Sequence, residues 1–367
     1  MKKILAFSFC IVTTSCTMVQ NVQHLNTASG AIFSSEVIID LMKKVADYQL
    51  ANPSHHNSKS KDFPMGWIPA SFYSGVMALY ETSKDEQYLN EAIKWGESNN
   101  WQTAPRLGNA DDIACGQIYL EIYQIKKYSV MIQPIKAVID SFMTISKSGR
   151  EEWWWCDALF MAPPVFARLG TITQEKKYFK FMHKMFWDTA QFLFSKEDGL
   201  FYRDNSYFHR RTKNGQKVFW SRGNGWVMAG IARVLQYLPE EDTLHFQYIK
   251  LYQTMASSVA RAQGEDGFWH SSLLDAEEFP QPETSGTAFF CFALAYGINN
   301  DYLGRDIYLP IVKKAWQALT HSIHPNGKIG WVQKIGKKPG KVTYDDTHAY
   351  GAGGFLLAGS EVIKLIN

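Results

Sequence analysis

The sequence predicts an all-α, single-domain fold in which six helical hairpins form a ring, an (α/α)6 toroid. Three observations support this prediction. Apolar residues recur at three- and four-residue spacing from about Ser34 almost to the end of the chain, which is typical of amphipathic helices. Alternating strand patterns are scarce. Short polar turns and longer loops rich in glycine, tryptophan and acidic residues alternate between the helices.

The helical spacing is clearest in six segments: residues 36–49, 70–80, 88–98, 116–126, 134–145 and 157–169. Two short stretches beside glycine, residues 199–202 and 328–332, are strand candidates, and we expect both to form hairpins within loops. No stretch has the composition of a linker, so we expect all of these elements to share one domain.

The short turns share one pattern and occur at residues 80–89, 169–179, 238–249 and 298–311, with a degraded copy at 128–134. Each turn ends an apolar helix, carries helix-capping Thr, Ser, Asp or Asn, and leads into a helix that begins with an aromatic residue. Their irregular spacing of ~45–70 residues suits paired helices rather than a short solenoid repeat. We expect these turns to lie together at one end of the toroid.

The longer loops carry nearly all the side chains that can perform chemistry: residues 105–112, 150–157, 217–226, 265–270, 282–286 and 345–354. Functional residues commonly lie on loops that a rigid scaffold holds in place. We therefore expect a functional site at the end of the toroid opposite the short turns.

Composition limits the kind of ligand. The net charge of +3 is too small for a nucleic-acid-binding protein but is compatible with a small anionic substrate. Aromatic residues make up 14% of the chain, including 12 tryptophans, which predicts a carbohydrate groove as well as aromatic packing within the toroid. The sequence does not give the oligomeric state.

The N-terminus predicts export. Lys2 and Lys3 precede an apolar stretch, residues 4–12, and small residues lead to Cys16, so residues 1–16 read as a secretory signal. The small residues resemble a lipoprotein cleavage box, which would leave Cys16 as a lipid-bearing N-terminus; ordinary signal cleavage is the alternative. We expect residues 17–33 to be a tether and residues 34–367 the catalytic domain, in the periplasm or anchored to the outer membrane.

The remaining cysteines, Cys115, Cys156 and Cys291, lie in apolar helical surroundings without C-x-x-C spacing. They indicate neither a disulfide framework nor a zinc site, and we expect them to be small core residues.

Asp157 is the first candidate for catalysis. It follows three tryptophans, residues 153–155, and precedes an apolar helix. Removal from water raises the pKa of a carboxyl group, and a protonated carboxyl at neutral pH is what a general acid requires. The alternative role is a helix N-cap, which aspartate often fills.

Asp111 and Asp112 also open a helix after a glycine-containing loop. One of them can cap the helix while the other faces a groove, and a second carboxylate opposite Asp157 suits sugar hydrolysis. In the third loop, Arg222 can hold a carboxylate bidentately and Trp226 can stack on a sugar ring, unless the loop is a structural turn with Arg222 in a salt bridge. His348 can donate hydrogen bonds, although a structural role is commoner for a lone histidine.

Four motifs in order resemble the unsaturated rhamnogalacturonyl hydrolases of glycoside hydrolase family 105, which are neighbours of the unsaturated glucuronyl hydrolases of family 88. The motifs are WWWCDALFMAPPVFARLG, SRGNGWVMAGIARVL, ETSGTAFFCFALAYGI and YGAGGFLLAGSEV. The resemblance covers residues 34 to 367. It implies an (α/α)6 barrel without metal or cofactor, acting on an acidic oligosaccharide that carries a 4,5-unsaturated uronic acid left by a lyase.

The resemblance also implies residue roles. Asp157 matches the catalytic general acid/base and Trp155 its aromatic neighbour. Arg222 and Trp226 match substrate-binding residues, and Tyr73 a groove tyrosine. The second catalytic aspartate is assigned to Asp112, with Asp111 as the alternative. Some family members carry a His and a Lys shortly before the catalytic aspartate, whereas residues 146–152 contain no histidine. This departure leaves the sugar in the neighbouring subsite open; Lys147 or Arg150 could supply positive charge there instead.

Other functions fit the same residues. Another (α/α)6 enzyme, either an inverting hydrolase of saturated glycosides or a lyase, could use the two carboxyl groups differently. A non-catalytic, surface glycan-binding lipoprotein is a third possibility, because tryptophans alone can bind sugars. The preferred hypothesis is hydrolysis of rhamnogalacturonan-derived unsaturated disaccharides, with ulvan- or glycosaminoglycan-type fragments left open.

Overall fold

The computed structural model describes residues 32–53 and 63–366. The predicted signal segment, its Cys16 and the tether up to residue 31 lie outside the described residues. The first described helix begins next to Ser34, whose side chain accepts a hydrogen bond from the Val37 backbone N–H as an N-cap.

The helices form two layers. The outer layer contains α1 (Ser35–Ala51), α3 (Glu86–Ser98), α6 (Gln133–Ile145), α10 (Lys176–Leu193), α12 (His245–Arg261) and α14 (Arg305–His321). The inner layer contains α2 (Trp67–Ser83), α5 (Gly116–Lys126), α9 (Pro163–Thr173), α11 (Ser221–Leu235), α13 (Thr284–Asn299) and α15 (Ala349–Ile366). Outer and inner helices alternate along the chain as six hairpins.

Short elements occupy the connections between the long helices, and all of them except the 3₁₀ turn Ser129–Met131 precede an inner helix. They are α4 (Ala110–Ile113), α7 (Gly149–Glu152), α8 (Ala158–Met161), the hairpin strands β1 (Phe194–Ser195) and β2 (Leu200–Phe201), and 3₁₀ turns at Ser129–Met131 and Asn205–Tyr207. The strand prediction for residues 199–202 is confirmed in part, because β1 and β2 pair antiparallel. The prediction for residues 328–332 is wrong: Ile329 forms only an isolated bridge with Ile323.

The inner helices close into a ring. Each packs on the next in the order α2, α5, α9, α11, α13, α15, and α15 returns to α2. Every residue of the inner helix α11 is buried, whereas the outer helix α10 buries one face and is amphipathic. The predicted (α/α)6 fold is confirmed.

Small residues let the ring close tightly where α15 meets α2. A Cβ atom on Gly353 would lie 2.1 Å from the backbone oxygen of Ser71, and one on Gly75 would lie 2.5 Å from the oxygen of Gly353. The two backbones are therefore in direct contact, which only glycine allows. By length and hydropathy α15 could cross a membrane, but 89% of that window is buried inside the protein.

The two ends of the ring differ as predicted. Short turns follow the inner helices, and three of these helices end at left-handed residues: Lys84, Lys127 and Gln174. The long loops all precede inner helices, so the N-termini of the six inner helices face the end that carries these loops. Aligned peptide dipoles give that end a positive potential, which favours an anionic ligand.

A charged cluster ties the inner layer together. The Oε1 atom of Glu121 in α5 accepts hydrogen bonds from Arg168 Nη2 in α9 at 2.5 Å and from Arg233 Nη2 in α11 at 2.8 Å. Arg168 and Arg233 are buried, and their charges lower the pKa of Glu121 against the opposing effect of burial. The cluster therefore joins three neighbouring helices through one carboxylate.

Candidate active site

Asp157 lies at the loop end of the ring, directly before α8. Its side chain makes no capping hydrogen bond, so the structure does not support the alternative role as an N-cap. The Cys156 thiol donates to Asp157 Oδ1 at 3.2 Å. A Cβ on Gly223, in the first turn of α11, would lie 3.5 Å from the same oxygen, so the N-terminus of α11 approaches the carboxyl closely.

The pKa of the Asp157 carboxyl is raised, as the sequence predicted, although nearby positive charges act against the rise. Burial raises the pKa of its carboxyl, as expected for a group among tryptophans, and the nearby guanidinium groups of Arg203 and Arg222 lower it. The hydrogen bond from Cys156 also favours the ionised form.

Asp112 is bound by the loop before α4, and its role as the second catalytic aspartate stays a prediction. It is 1% exposed, and its carboxylate accepts the Arg106 backbone N–H at 2.8 Å and both the Nε and Nη2 groups of Arg106. This double contact closes the loop before α4. The capping role belongs to Asn109, whose Oδ1 accepts the Asp111 N–H at 3.1 Å.

Asp111 is the member of the doublet that lies beside Asp157. It keeps partial contact with solvent, and burial together with the negative charge of Asp157 raises its pKa to about 7, against an opposing effect of Arg106. Two neighbouring carboxyls that share one proton titrate as a pair. Burial raises the pKa of Asp157 as well, and guanidinium groups oppose the shift at both carboxyls, so both favour the protonated form that the sequence predicted for Asp157.

Arg222 is already engaged by the protein. It is 1% exposed, and it donates to the backbone oxygens of Gln333 at 2.7 Å and Lys334 at 3.0 Å. Its guanidinium lies between the rings of Trp220 and Tyr350, 4.4 and 4.8 Å from their centroids. The alternative of a salt bridge is not seen, and a direct bond from Arg222 to substrate stays a prediction.

Two of the predicted substrate-binding residues, Trp226 and Trp155, are buried, and their contact with substrate stays a prediction. Trp226 is 1% exposed and packs on Phe289, with ring centroids 4.1 Å apart, beneath the loops. Trp155 is 5% exposed. The neighbouring Trp154, which the sequence analysis did not single out, is 46% exposed and tilts against Trp155 at 5.0 Å. Trp226 and Trp155 therefore pack beneath the surface of the site, and Trp154 has the solvent-exposed aromatic face.

Tyr73 and His348 take different positions. Tyr73 stacks on Trp95 of the outer helix α3, with centroids 4.5 Å apart, and burial raises its pKa to about 12. Its ring thus lies in the wall between the layers, and the structure does not bring it to the carboxyl pair. The His348 ring stacks on Tyr350 at 4.8 Å, so it joins the aromatic group around Arg222. Trp67, at the start of α2, stacks on the same tyrosine at 5.4 Å.

Arg203 was missed by the sequence analysis. It follows β2, and its backbone oxygen accepts the Cys156 N–H at 2.8 Å, which fixes it beside the loop that carries Asp157. Its guanidinium lies 5.0 Å from the ring centroid of Trp154 and bonds Asp204 at 2.7 Å. No sequence motif includes Arg203, because it reaches the site through the β1–β2 hairpin in the loop between α10 and α11.

The arrangement can exchange a proton in a largely dehydrated place. It contains two neighbouring carboxyls whose pKa values are both raised, two guanidinium groups and an aromatic rim. Within residues 32–53 and 63–366, no three His, Cys, Asp or Glu side chains converge as a metal ion would require. Such paired carboxyls at the loop end of a helical toroid define a glycosidase-type centre.

The comparisons with known proteins agree with this class. The chain belongs to Glycosyl Hydrolase Family 88, whose family model matches residues 41–366. A relative from Formosa agariphila named unsaturated 3S-rhamnoglycuronyl hydrolase is 37% identical, over 96% of this chain and 98% of its own length. The predicted family relationship and the glycosidase class are thereby confirmed.

Two solved structures share the fold closely. A glycosyl hydrolase family 88 protein from Bacteroides vulgatus superposes with a TM-score of 0.83 at 34% identity, over 90% of this chain and 99% of that one. A protein described as a polysaccharide lyase also gives 0.83, at 35% identity over 90% and 98%.

Proposed function

We propose that this protein removes a 4,5-unsaturated uronic acid from the non-reducing end of oligosaccharides that a polysaccharide lyase has produced. The observation that carries the proposal is the Asp111–Asp157 pair at the positive end of the inner helices. The family, and the relative named for an unsaturated rhamnoglycuronyl substrate, support the same reaction.

The pair can supply both proton transfers of a hydration. The protonated carboxyl gives its proton to C4 of the double bond, and positive charge develops at C5 and the ring oxygen. The ionised carboxylate takes a proton from water, whose oxygen bonds to C5. The resulting hemiketal opens and the glycosidic bond breaks, so one water is consumed and the pair again holds one proton. Arg203 and Arg222 balance the negative charges of the substrate and of Asp157.

We propose a sulfated rhamnose as the sugar that leaves. The resemblance of the motifs predicted a rhamnogalacturonan disaccharide. The relative at 37% identity is instead named for 3S-rhamnoglycuronyl substrates, which we take to mean a sulfate on O3 of rhamnose. That name supports sulfated rhamnose over unsulfated rhamnose from pectin.

The test is the ultraviolet absorbance of the conjugated C4=C5 bond. Wild type should abolish it on an unsaturated disaccharide, and Asp157→Asn should not. Asp112→Asn separates the two candidates for the second aspartate: because its carboxylate binds Arg106, we expect catalysis to stay measurable, and complete loss of activity in a folded sample would favour Asp112 instead. If absorbance instead rises when a saturated polyuronide is supplied, the protein is a lyase. If no unsaturated fragment loses absorbance with a folded sample, the hydration mechanism is wrong.

We also propose export as a lipoprotein with the lipid on Cys16, supported by the basic and apolar residues before it. Metabolic labelling with palmitate should mark wild type and not Cys16→Ser. An unlabelled but processed wild type would indicate ordinary signal cleavage.

A further inference from the structure

The rim beside Asp157 carries two side chains in contact, Trp154 and Arg203, of which the proposed chemistry uses only the positive charge of Arg203. Trp154 is 46% exposed, although it directly follows the fully buried Trp153. Arg203 lies against its ring at 5.0 Å. An exposed tryptophan next to a catalytic carboxyl presents a flat apolar face where the fold gains nothing from it.

The guanidinium of Arg203 has one occupied and one unoccupied edge. Nη1 donates to Asp204, whose carboxylate is in turn fixed by the Ser206 N–H at 2.9 Å. Nε is buried and has no hydrogen-bond partner among the described residues. The Nε and Nη2 protons point along the same edge, which matches two oxygens of one anionic group. Asp204 therefore orients the guanidinium and leaves its bidentate edge for something else.

The position of this pair relative to the carboxyls indicates which sugar it meets. The reacting sugar is the terminal one, so it must enter first and lie over Asp111 and Asp157. The remainder of the substrate must extend toward solvent. Trp154 is far more exposed than the neighbouring Trp155, and it contacts Arg203, whose backbone is bonded to Cys156 next to Asp157, so we place it on that outward path. A sugar that reaches the Trp154 ring is therefore the leaving sugar.

We infer that Trp154 and Arg203 form the binding site for the leaving sugar, with the Trp154 ring under its apolar face and the free edge of Arg203 on an anionic substituent. A sulfated 6-deoxy sugar combines both features, since it presents a methyl-bearing face and a multidentate anion. This inference rests on the proposed function for the identity of the reacting sugar. Trp154 and Arg203 are specificity-determining residues in it.

The test compares the unsaturated uronyl disaccharide of rhamnose 3-sulfate with its desulfated form. Wild type should prefer the sulfated substrate by about tenfold or more in kcat/KM, as expected for a charge-assisted bidentate contact. Arg203→Lys keeps the positive charge beside Asp157 but loses the planar pair of donors, so kcat/KM should fall more for the sulfated than for the desulfated substrate and most of the preference should be lost. Trp154→Ala should weaken both substrates and keep their ratio. Arg210→Gln, an exposed arginine of the same loop that stacks on Tyr207, is the matched control.

A second measurement does not depend on turnover. Calorimetry measures the binding of rhamnose 3-sulfate to the inactive Asp157→Asn protein. A second substitution in that protein, Arg203→Lys or Trp154→Ala, should weaken the binding. If Arg203→Lys and Arg203→Gln both leave the sulfate preference unchanged, or lower both substrates equally, Arg203 acts only on Asp157 and the inference is wrong. If wild type cleaves neither disaccharide yet binds rhamnose 3-sulfate through Arg203, the site stands and the proposed reaction fails.

Discussion

Replacing Asp111 with asparagine should stabilise the protein in a pH-dependent way. The carboxyl of Asp111 has a pKa of about 7, against 3.8 for an ordinary aspartate. Below pH 3.8 the folded and unfolded chains both carry the proton, so burial of this group costs nothing extra. Between pH 3.8 and 7 the unfolded chain releases the proton while the folded chain keeps it, and the folded state loses stability steadily.

The size of the stability difference follows from the interval between the two pKa values of Asp111, folded and unfolded. The difference between 7 and 3.8 corresponds to about 4 kcal/mol at about 1.4 kcal/mol for each pH unit. Partial contact with solvent reduces this, so we expect roughly 2–4 kcal/mol above pH 7. Asparagine has the same shape and no charge. The variant should therefore gain this amount relative to wild type at pH 8 and gain none of it at pH 3.5.

Urea unfolding at several pH values measures the difference directly. Any constant effect of the substitution on packing cancels, because only the pH dependence of the difference is used. Asp112→Asn provides the contrast: it breaks the contacts with Arg106 and should lower stability at pH 8. A flat difference in stability between Asp111→Asn and wild type from pH 4 to 8 would refute the raised pKa of Asp111.

Two further predictions concern the ring. Glu121→Gln should lower the free energy of unfolding by about 3–5 kcal/mol, because it leaves two buried arginines without their counter-charge. The control Glu81→Gln breaks an exposed pair with Lys84 and should cost less than about 1 kcal/mol. Equal losses for the two variants in chemical unfolding would argue against a stabilising role for the cluster. Gly353→Ala should lower the free energy of unfolding by about 1–3 kcal/mol, since its Cβ would overlap the Ser71 carbonyl. The control Gly336→Ala should leave the melting temperature unchanged, because the nearest described atom beyond its chain neighbours would lie 3.6 Å from its Cβ. A Gly353→Ala protein of unchanged stability would show that α2 and α15 can separate without loss.

The fold could be predicted because its signals are local and repeated. Helical periodicity and the alternation of short turns with long loops are visible without any knowledge of three-dimensional contacts. Asp157 could be found for a similar reason, since its neighbours in sequence are also its neighbours in space.

The details that the sequence did not predict depend on contacts that no helical pattern contains. Arg106 distinguishes Asp112 from Asp111, because its backbone and side chain together bind the Asp112 carboxylate. Arg203 reaches the site only because a hairpin folds back onto the Asp157 loop. Trp226 looked like a stacking residue in the sequence, yet α11 is buried on every side and no face of it remains open.

The contact between α15 and α2 also bears on how the polypeptide is made. These two helices lie about 280 residues apart in the chain, and α15 is the last described helix to leave the ribosome. Until it is synthesised, the apolar sides of α2 and α13 that it covers remain open. Contacts of such long sequence separation form slowly, and surfaces exposed in the meantime favour aggregation. The incompletely folded chain therefore exposes the apolar surface of α2 and α13, which chaperones can bind. That surface is buried only when the final hairpin packs against it.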